Sequence, residues 1–569
     1  MYLSPLLIFL ASAVGTSIPT ESSTRNAPPY GPVNAAQHAE HAPVVYIPRG
    51  IVLGKLDNRT ETFNGIPYAK APTGNLRLRP PVRFTGNLGV FNATVPAVAC
   101  PQPVPNGDPN PLEESGLASL LGDLPLGGDS SFPQSEDCLT ATVTRPRGIT
   151  KHDKLPVVFW IFGGGFEVGY SAMDDGTTLF EFGVDIGMPF IFVAVNYRVS
   201  NLGLLDQRLG LEWVADNIRF FGGDPGKVTT WGQSAGSMSV YLQTALYGGD
   251  HRHSLTGRPL FRAAFMSSGA ILPADPVDSD KAKKTYNEVV GVAGCAGSED
   301  SLQCLREVDL ETFTKAVSAP PQLVSYTSIA LTFLPRPDGI VLPSSPDRLA
   351  AEGRVAPVPV IAGHAEDEAN LFALFPANVT TVPDLAEYLQ SFYYPAATKE
   401  QLTDFILTYG DGKEAIINGS PFRTGLGNEI LPGFKRQAAL MGDTYFSLSR
   451  RLYLDYLSST RSDIPTWSFI ASLADGTPIL GSYHGVDIAS AFLGAPLTFG
   501  ARAFQTYLLN FVHNLDPNEG SNVQRPAWRR WKEEHQELQL FSNRTELLDD
   551  NFRLDSFNWM AENIGLWNL

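Results

Sequence analysis

Positive charge is scarce in this sequence. Its 42 Lys and Arg residues are outnumbered by 59 Asp and Glu residues, so the chain of 569 residues carries a formal net charge of −17 at pH 7. Nucleic acids and anionic membrane surfaces attract proteins through basic patches. We therefore expect no nucleic-acid partner. The acidic balance agrees with the surface that a soluble, secreted protein needs.

Long hydrophobic runs are missing beyond the N-terminus. No later stretch reaches the ~18 consecutive apolar residues of a membrane-spanning helix, so we expect no transmembrane segment. Residues 1–17 carry an apolar run from Leu6 followed by small residues, which predicts a secretory signal peptide although no Lys or Arg precedes the run. Five Asn-x-Ser/Thr glycosylation acceptors favour the same secretory route, and Pro421 weakens the fourth of them. They begin at Asn58, Asn92, Asn378, Asn418 and Asn543.

Cysteine is rare as well. Four cysteines in an exported chain predict two disulfides, and three pairings are possible. No Cys-x-x-Cys pair and no His/Cys cluster has the spacing of zinc ligands, so we expect no metal site. The four residues are Cys100, Cys138, Cys295 and Cys304.

Internal repeats and domain linkers are also absent. After a Pro-rich segment, residues 18–45, strand-like runs alternate with helical ones through residues 46–569. This alternation predicts one large α/β domain with a mostly parallel sheet between helices. A helix is expected over Leu202–Phe221, where apolar residues recur at helical spacing. Central strands are predicted at Pro156–Phe162, Met188–Val195, Lys227–Trp231, Arg262–Met266 and Pro357–Ala362.

What the sequence does contain is a serine between two glycines. In GQSAG, residues 232–236, the serine follows the strand-like Val228–Trp231 and precedes a run with helical periodicity. Strand, Gly-x-Ser-x-Gly and helix in this order form the nucleophile elbow of α/β-hydrolases, where the glycines let strand and helix pass closely. We therefore predict Ser234 as a nucleophile.

A serine nucleophile needs a histidine as base and an acidic residue that orients the histidine. In α/β-hydrolases both follow the serine in the chain, the acid first and the histidine second. His484 lies in a loop between a strand-like and a helical segment, which makes it the expected base. The other histidines that leave room for an intervening acid are His364, His513 and His535. The acid should follow the strand that ends near Gly363. Spacing alone leaves three candidates, Glu366, Asp367 and Glu368.

Backbone N–H groups near a strand end are needed to stabilise an oxyanion. The glycine run at residues 163–165 directly follows the predicted strand Pro156–Phe162 and so matches this requirement. The amide of Ala235, directly after the serine, is the expected second donor.

Together these motifs resemble the type-B carboxylesterase/lipase family of fungal lipases, carboxylesterases, cholinesterases and non-catalytic neuroligins. The similarity runs from GIPYA at residues 65–69 to PAW at 526–528, and includes SEDCL at 135–139, GGGF at 163–166, LLDQR at 204–208 and FGGDP at 221–225. The resemblance implies an α/β-hydrolase fold and neighbour pairing of the cysteines, Cys100 with Cys138 and Cys295 with Cys304. It also implies site roles: Glu368 as the acid, His484 as the base, and Gly164, Gly165 and Ala235 in the oxyanion hole.

Departures from the family pattern bear on function. Gln233 stands where the family usually has Glu, so a carboxylate is missing beside the nucleophile. The connection after Arg198 is shorter than in relatives, which we expect to change the pocket wall there. Residues 100–138 contain no tryptophan. Cholinesterases carry a cation-binding tryptophan in this loop, so we do not expect a choline-ester specialist.

We therefore expect a secreted serine ester hydrolase, a lipase or carboxylesterase that needs neither metal nor organic cofactor. An acyltransferase with the same residues and a non-catalytic binding protein of the same fold are the alternatives. Inside the first disulfide loop, residues 100–138, four leucines at helical spacing predict a short amphipathic helix. It is either a mobile lid that opens at a lipid interface or a permanently packed surface helix. The four are Leu117, Leu120, Leu121 and Leu124.

Overall fold

The computed structural model describes residues 42–103, 132–174, 176–199, 201–323, 325–492, 498–520 and 526–569. The predicted signal peptide, most of the Pro-rich segment and the four leucines of the predicted lid helix lie outside the described residues. The strands are β1 (Val44–Ile47), β2 (Gly50–Leu53), β3 (Lys55–Leu56), β4 (Thr60–Pro67), β5 (Gly89–Asn92), β6 (Thr140–Pro146), β7 (Leu155–Ile161), β8 (Ile191–Val195), β9 (Gly223–Gln233), β10 (Ala263–Ser267), β11 (Val360–Ala365), β12 (Thr466–Ser472), β13 (Gln536–Phe541) and β14 (Thr545–Asp549).

Most strands form one large sheet of 11 strands, in the order β14-β13-β12-β11-β10-β9-β7-β8-β6-β4-β3. Its middle strands, from β13 to β8 in that order, run parallel. The outer strands β14, β6, β4 and β3 pair antiparallel with their neighbours. The predicted central strands correspond to β7 through β11, near their expected bounds. The predicted mostly parallel α/β sheet is therefore confirmed.

The sheet separates two apolar cores, and β7 shows why its sequence is a continuous apolar run. Val157, Phe159 and Ile161 pack into one core. Val158 and Trp160 pack into the other. All five are buried. A strand covered on both faces needs apolar residues at successive positions instead of alternation.

Helices cover both faces. The helix after the elbow, α3 (Ala235–Ala245), packs on β9 and β10 in one core. On the other face of the sheet, α14 (Phe499–Asn514) packs on β7, β9 and β13. The predicted helix Leu202–Phe221 corresponds to α2 (Asn201–Asn217) followed by a short 3-10 turn, Ile218–Phe221. The α-helices are α1 (Thr177–Asp185), α2 (Asn201–Asn217), α3 (Ala235–Ala245), α4 (Asp280–Val292), α5 (Ser301–Glu307), α6 (Leu310–Val317), α7 (Pro346–Ala351), α8 (Val382–Phe392), α9 (Lys399–Leu407), α10 (Gly412–Ile417), α11 (Phe434–Gly442), α12 (Leu448–Thr460), α13 (Val486–Phe492), α14 (Phe499–Asn514), α15 (Trp531–Glu534) and α16 (Leu554–Glu562).

A small second sheet has the order β1-β2-β5, and β3 and β4 of the large sheet lie between its second and third strands in the chain. It begins at Val44, two residues before the domain boundary expected at residue 46. Both disulfides predicted from the resemblance are present, Cys100–Cys138 and Cys295–Cys304. Among the described helices, none has the length and apolar character to cross a membrane.

Candidate active site

Ser234 occupies a tight turn between β9 and α3. Its backbone is at φ 58° and ψ −128°, a sparsely populated conformation for a residue with a side chain. Its N–H donates to the carbonyl of Ser267 at the end of β10, 2.9 Å away, which holds the turn against the sheet. A Cβ at Gly236 would lie 2.0 Å from the carbonyl oxygen of Ile161, so only glycine lets α3 pass this close to β7.

The three candidate acids lie together just after β11, and each has a different partner. Glu368 is buried, and its Oε1 accepts a hydrogen bond of 2.7 Å from the N–H of Ala365. Its Oε2 is hydrogen-bonded to Nδ1 of His484. Asp367 instead accepts from the Ser420 hydroxyl at 2.6 Å and from two backbone N–H groups. Glu366 pairs with the Arg423 guanidinium. The structure thus brings Glu368 alone of the three to the imidazole.

His484 lies in the loop between β12 and α13, with its ring between two aromatic side chains. The ring centroid lies 4.8 Å from that of Phe446 and 5.4 Å from that of Phe372. With Nδ1 directed at Glu368, Nε2 faces the elbow, where Nε2 of Gln233 lies 3.0 Å away. The carboxylate fixes which ring nitrogen holds the proton, because an ionised carboxylate only accepts.

The other late histidines lie elsewhere. His364 is buried within β11 and lies 3.1 Å from the Ser447 hydroxyl. Burial holds its pKa well below the ordinary value, and the positive charge of Arg450 acts in the same direction. His513 is in α14 and His535 follows α15.

The predicted oxyanion residues line the same pocket as Ser234. The loop after β7 turns sharply at Gly164, whose φ is 98° and whose carbonyl accepts the N–H groups of Glu167 and Val168 at 2.9 and 3.0 Å. Within the described part of the chain, the N–H groups of Gly164 and Gly165 donate to no other residue. The N–H of Ala235 begins α3 and so has no acceptor inside the helix. These amides are free to bind an oxyanion.

Two buried acidic residues near the site, Glu167 and Asp487, were not predicted as site residues from the sequence. Burial raises the pKa of Glu167 to about 8, against the opposing effect of its hydrogen bond from the Leu323 N–H, which is 2.7 Å long. Burial also raises the pKa of Asp487, in α13, to about 6, and the charge of Glu368 adds to this shift. Glu167 directly follows GGGF and Asp487 follows His484 by three positions, but neither proximity reveals burial from sequence alone.

The pocket over Ser234 has a volume of about 110 Å³ and a mainly apolar wall. Residues 196–199 of the short connection are not among the residues that line this pocket. In the described part of the chain, no group of three or more His, Cys, Asp or Glu is arranged to hold a metal ion. The side chains that form the apolar wall are Met238, Leu323, Ile329, Leu331, Phe372, Tyr445 and Phe446.

A mostly parallel sheet with a Gly-x-Ser-x-Gly turn, and a His–Glu pair beside that turn, define an α/β-hydrolase. Residues 41–558 match the carboxylesterase family. The chain is 49% identical to the secreted triacylglycerol lipase LIP1 of Gibberella zeae, over 94% of this chain and 93% of that protein. It is 42% identical to secreted lipase 1 of Botryotinia fuckeliana, over 99% of each.

A solved structure agrees with these sequence relationships. The crystal structure of Aspergillus niger EstA matches with a TM-score of 0.76 at 26% identity, over 92% of this chain and 99% of that chain. The protein belongs to the carboxylesterase family and is a carboxylic ester hydrolase with the α/β-hydrolase fold.

Proposed function

We propose that the protein is a secreted serine hydrolase of lipids or other apolar acyl esters, with Ser234, His484 and Glu368 as its catalytic residues. The observation that carries the proposal is that Ser234 and His484 line one pocket together with the free amides of Gly164, Gly165 and Ala235. The pairing of His484 with buried Glu368 supports the assignment of the acid.

The proposed reaction proceeds through an acyl-enzyme. The Ser234 hydroxyl attacks the ester carbonyl carbon, and Nε2 of His484 accepts its proton and passes it to the leaving alcohol. Glu368 keeps the ring oriented and stabilises the imidazolium. The three amides bind the oxyanion, and losing one such donor typically costs about a hundred- to thousand-fold in rate. Water, activated by the same histidine, then releases the acid.

The apolar wall supports an apolar acyl group as the substrate portion bound next to Ser234. Methionine, leucine, isoleucine and phenylalanine side chains there bury acyl carbon atoms favourably. The similar proteins from Gibberella zeae and Botryotinia fuckeliana are both named as secreted lipases. The word lipase supports the same substrate class for this protein, and the word secreted supports an extracellular location. The predicted signal peptide and glycosylation acceptors agree with that location.

We further propose that the protein contacts a lipid interface through the loop of residues 100–138. If its leucines form one face of a lid, moving them from water into lipid contributes roughly 2 kcal/mol each, which favours the open state. Replacing Leu120 and Leu121 with Ser should then flatten the rise in triglyceride hydrolysis above the solubility limit. Turnover of p-nitrophenyl acetate should stay unchanged. Simple saturation without a break, in both proteins, would leave a carboxylesterase without interfacial activation.

The test of the substrate class is a graded series of p-nitrophenyl esters together with an emulsified medium-chain triglyceride. We expect kcat/KM to rise with acyl length from acetate as more of the apolar wall is contacted. A competing alcohol in the same assay measures acyl transfer. A kcat/KM that stays flat or falls for acyl groups longer than acetate would contradict the assignment to apolar acyl esters. If the ester of the competing alcohol is the main product, the protein is an acyltransferase and not a hydrolase.

A further inference from the structure

The small sheet β1-β2-β5 has a mainly apolar outer face. Strand register aligns Tyr46 with Ile51 and Ile51 with Val90 in one cross-strand row. In the next row Val44 is aligned with Leu53, and Leu53 with Asn92. Side chains two positions apart on a strand share a face. Five apolar side chains and Asn92 therefore form one surface, which we call the outer face.

The outer face points away from the protein core. The alternate side chains Val45, Ile47 and Val52 are buried in the core, and Phe91 packs against it. On the outer face, Tyr46 is 69% exposed, Val90 51% and Val44 36%. Ile51 and Leu53 are only partly covered. Covering these side chains would remove apolar surface from water, which is favourable.

Asn92 is the one polar member of the outer face, and it begins the acceptor sequence Asn-Ala-Thr. Its Oδ1 accepts hydrogen bonds from the N–H of Thr94 at 3.1 Å and from the Thr94 hydroxyl at 2.8 Å. Its Nδ2, the atom that carries an N-linked sugar, has no hydrogen bond to any residue in the described ranges. The side chain is thus held by its oxygen and leaves the nitrogen available.

The other acceptors lack this setting. Asn58, Asn378 and Asn543 are exposed, and Asn543 lies in the turn between β13 and β14. The acceptor at Asn418 uses Ser420, which is buried and donates its hydroxyl to Asp367. Asn92 alone among the five shares a sheet face with a row of exposed apolar side chains.

We propose that Asn92 carries an N-linked glycan whose first sugars lie over the outer face and cover it. In the modification, Nδ2 loses one proton and bonds to C1 of an oligosaccharide. The bond from C1 to the diphosphate of the lipid-linked donor breaks, and the lipid diphosphate leaves. Three strands and two rows span about 10 Å by 7 Å, an area comparable with a disaccharide. The apolar C–H faces of the sugars pack on Tyr46 and Val90, and their hydroxyl groups face water.

Attachment on the same face is what favours the glycan over other occupants. A sugar bonded to Asn92 is held next to Leu53 at high effective concentration, whereas a second protein copy or another chain segment would need to bind there separately. The inference rests on the proposed secretory route but not on the proposed ester chemistry.

The experiment compares the secreted wild-type protein with Asn92→Gln, Thr94→Ala and, as matched control, Asn543→Gln. Glycopeptide mapping measures occupancy of each acceptor, and a fluorescent dye for apolar surface measures exposure of the outer face. We expect Asn92 to be glycosylated. Asn92→Gln and Thr94→Ala both lose this glycan, so each should bind at least about twice as much dye as wild type and aggregate faster on warming. Asn543→Gln should match wild type, and all variants should hydrolyse p-nitrophenyl acetate equally.

A second pair of variants tests whether the outer face is the surface involved. Adding Tyr46→Thr and Val90→Thr to Asn92→Gln should return dye binding to the wild-type level. The proposal is overturned if Asn92 is unmodified in a protein whose Asn543 carries a glycan, a result that leaves the secretory route intact. Unmodified acceptors throughout would refute both the route and this inference. Equal dye binding with and without the Asn92 glycan would also overturn the proposal. A variant without residues 18–41 tests whether that segment covers the outer face instead. If this deletion raises dye binding more than loss of the Asn92 glycan does, the proposal is overturned.

Discussion

Nε2 of Gln233 lies 3.0 Å from Nε2 of His484, the nitrogen proposed to take the proton of Ser234. Because Nδ1 of His484 is directed at Glu368, Nε2 holds a lone pair and accepts a hydrogen bond from the amide. In the described part of the chain, the Ser234 hydroxyl makes no hydrogen bond to His484. A neutral amide therefore lies against the proposed base, and in the proposed reaction the Ser234 hydroxyl takes its place.

Gln233→Glu should move the acid limb of the kcat/KM–pH profile to higher pH by about one unit. A carboxylate beside Nε2 stabilises the imidazolium, and the imidazolium cannot act as base. The profile is measured with p-nitrophenyl butyrate between pH 5 and 9. Gln233→Met removes the amide without adding charge, so its limb should stay near the wild-type position. A Glu variant with an unchanged limb would show that residue 233 does not interact with the base.

Glu167→Gln should increase stability at alkaline pH. The folded-state pKa of Glu167, about 8, is raised above the ordinary value of 4.5. Its contribution to stability is therefore complete below about pH 4.5 and is lost as the pH rises from there through 8, because the carboxyl ionises more readily in the unfolded chain. Between pH 5 and 9, the variant should gain about 2–4 kcal/mol in unfolding free energy relative to wild type. Denaturant unfolding checks this, with the exposed Glu299→Gln as control. A difference that does not change with pH would contradict it.

Glu368→Gln should lower kcat by about 10³–10⁴-fold, because an amide neither fixes the ring tautomer nor stabilises the imidazolium. Asp367→Asn changes a neighbouring acid that accepts from Ser420, Phe422 and Ser482 instead, so it should cost stability more than rate. Kinetics per mole of folded protein and thermal unfolding separate the two. Equal losses of kcat would contradict the assignment of Glu368.

Gly236→Ala should destabilise the fold by about 3 kcal/mol or more, since its Cβ would meet the Ile161 carbonyl oxygen at 2.0 Å. The matched control is Gly291→Ala in α4, where a Cβ would meet nothing within 4 Å. That change should be neutral or slightly stabilising, because alanine favours the helix. Thermal unfolding of both variants provides the comparison. Similar midpoints for the two would show that the elbow tolerates a side chain.

The local features of the site were predictable from sequence because their causes are local. The glycines around Ser234 are required by a turn within five residues, and the glycine run at 163–165 follows a strand that is recognisable by its apolar run. His484 could be selected because chain order restricts the later histidines. These inferences needed no knowledge of distant contacts.

The remaining features depend on contacts between distant segments. The sequence alone could not choose among the three adjacent acids, because their partners come from distant loops. Ser420 and Arg423 lie in one loop and His484 in another. The contact between Gln233 and His484 joins positions 251 residues apart. The raised pKa of Glu167 depends on complete burial, which the Glu-Val-Gly after the glycine run does not indicate.

The most direct test of the account is covalent labelling by an organophosphate, followed by intact mass and peptide mapping. Wild-type protein should gain one adduct, on Ser234. Ser234→Ala should gain none and lose ester turnover by about 10³-fold or more while keeping its unfolding midpoint. Ser237→Ala, which changes a buried serine in α3, the helix that follows Ser234, should be labelled like wild type. Stoichiometric labelling of Ser234→Ala at another serine, or turnover near the wild-type rate, would contradict Ser234 as the nucleophile.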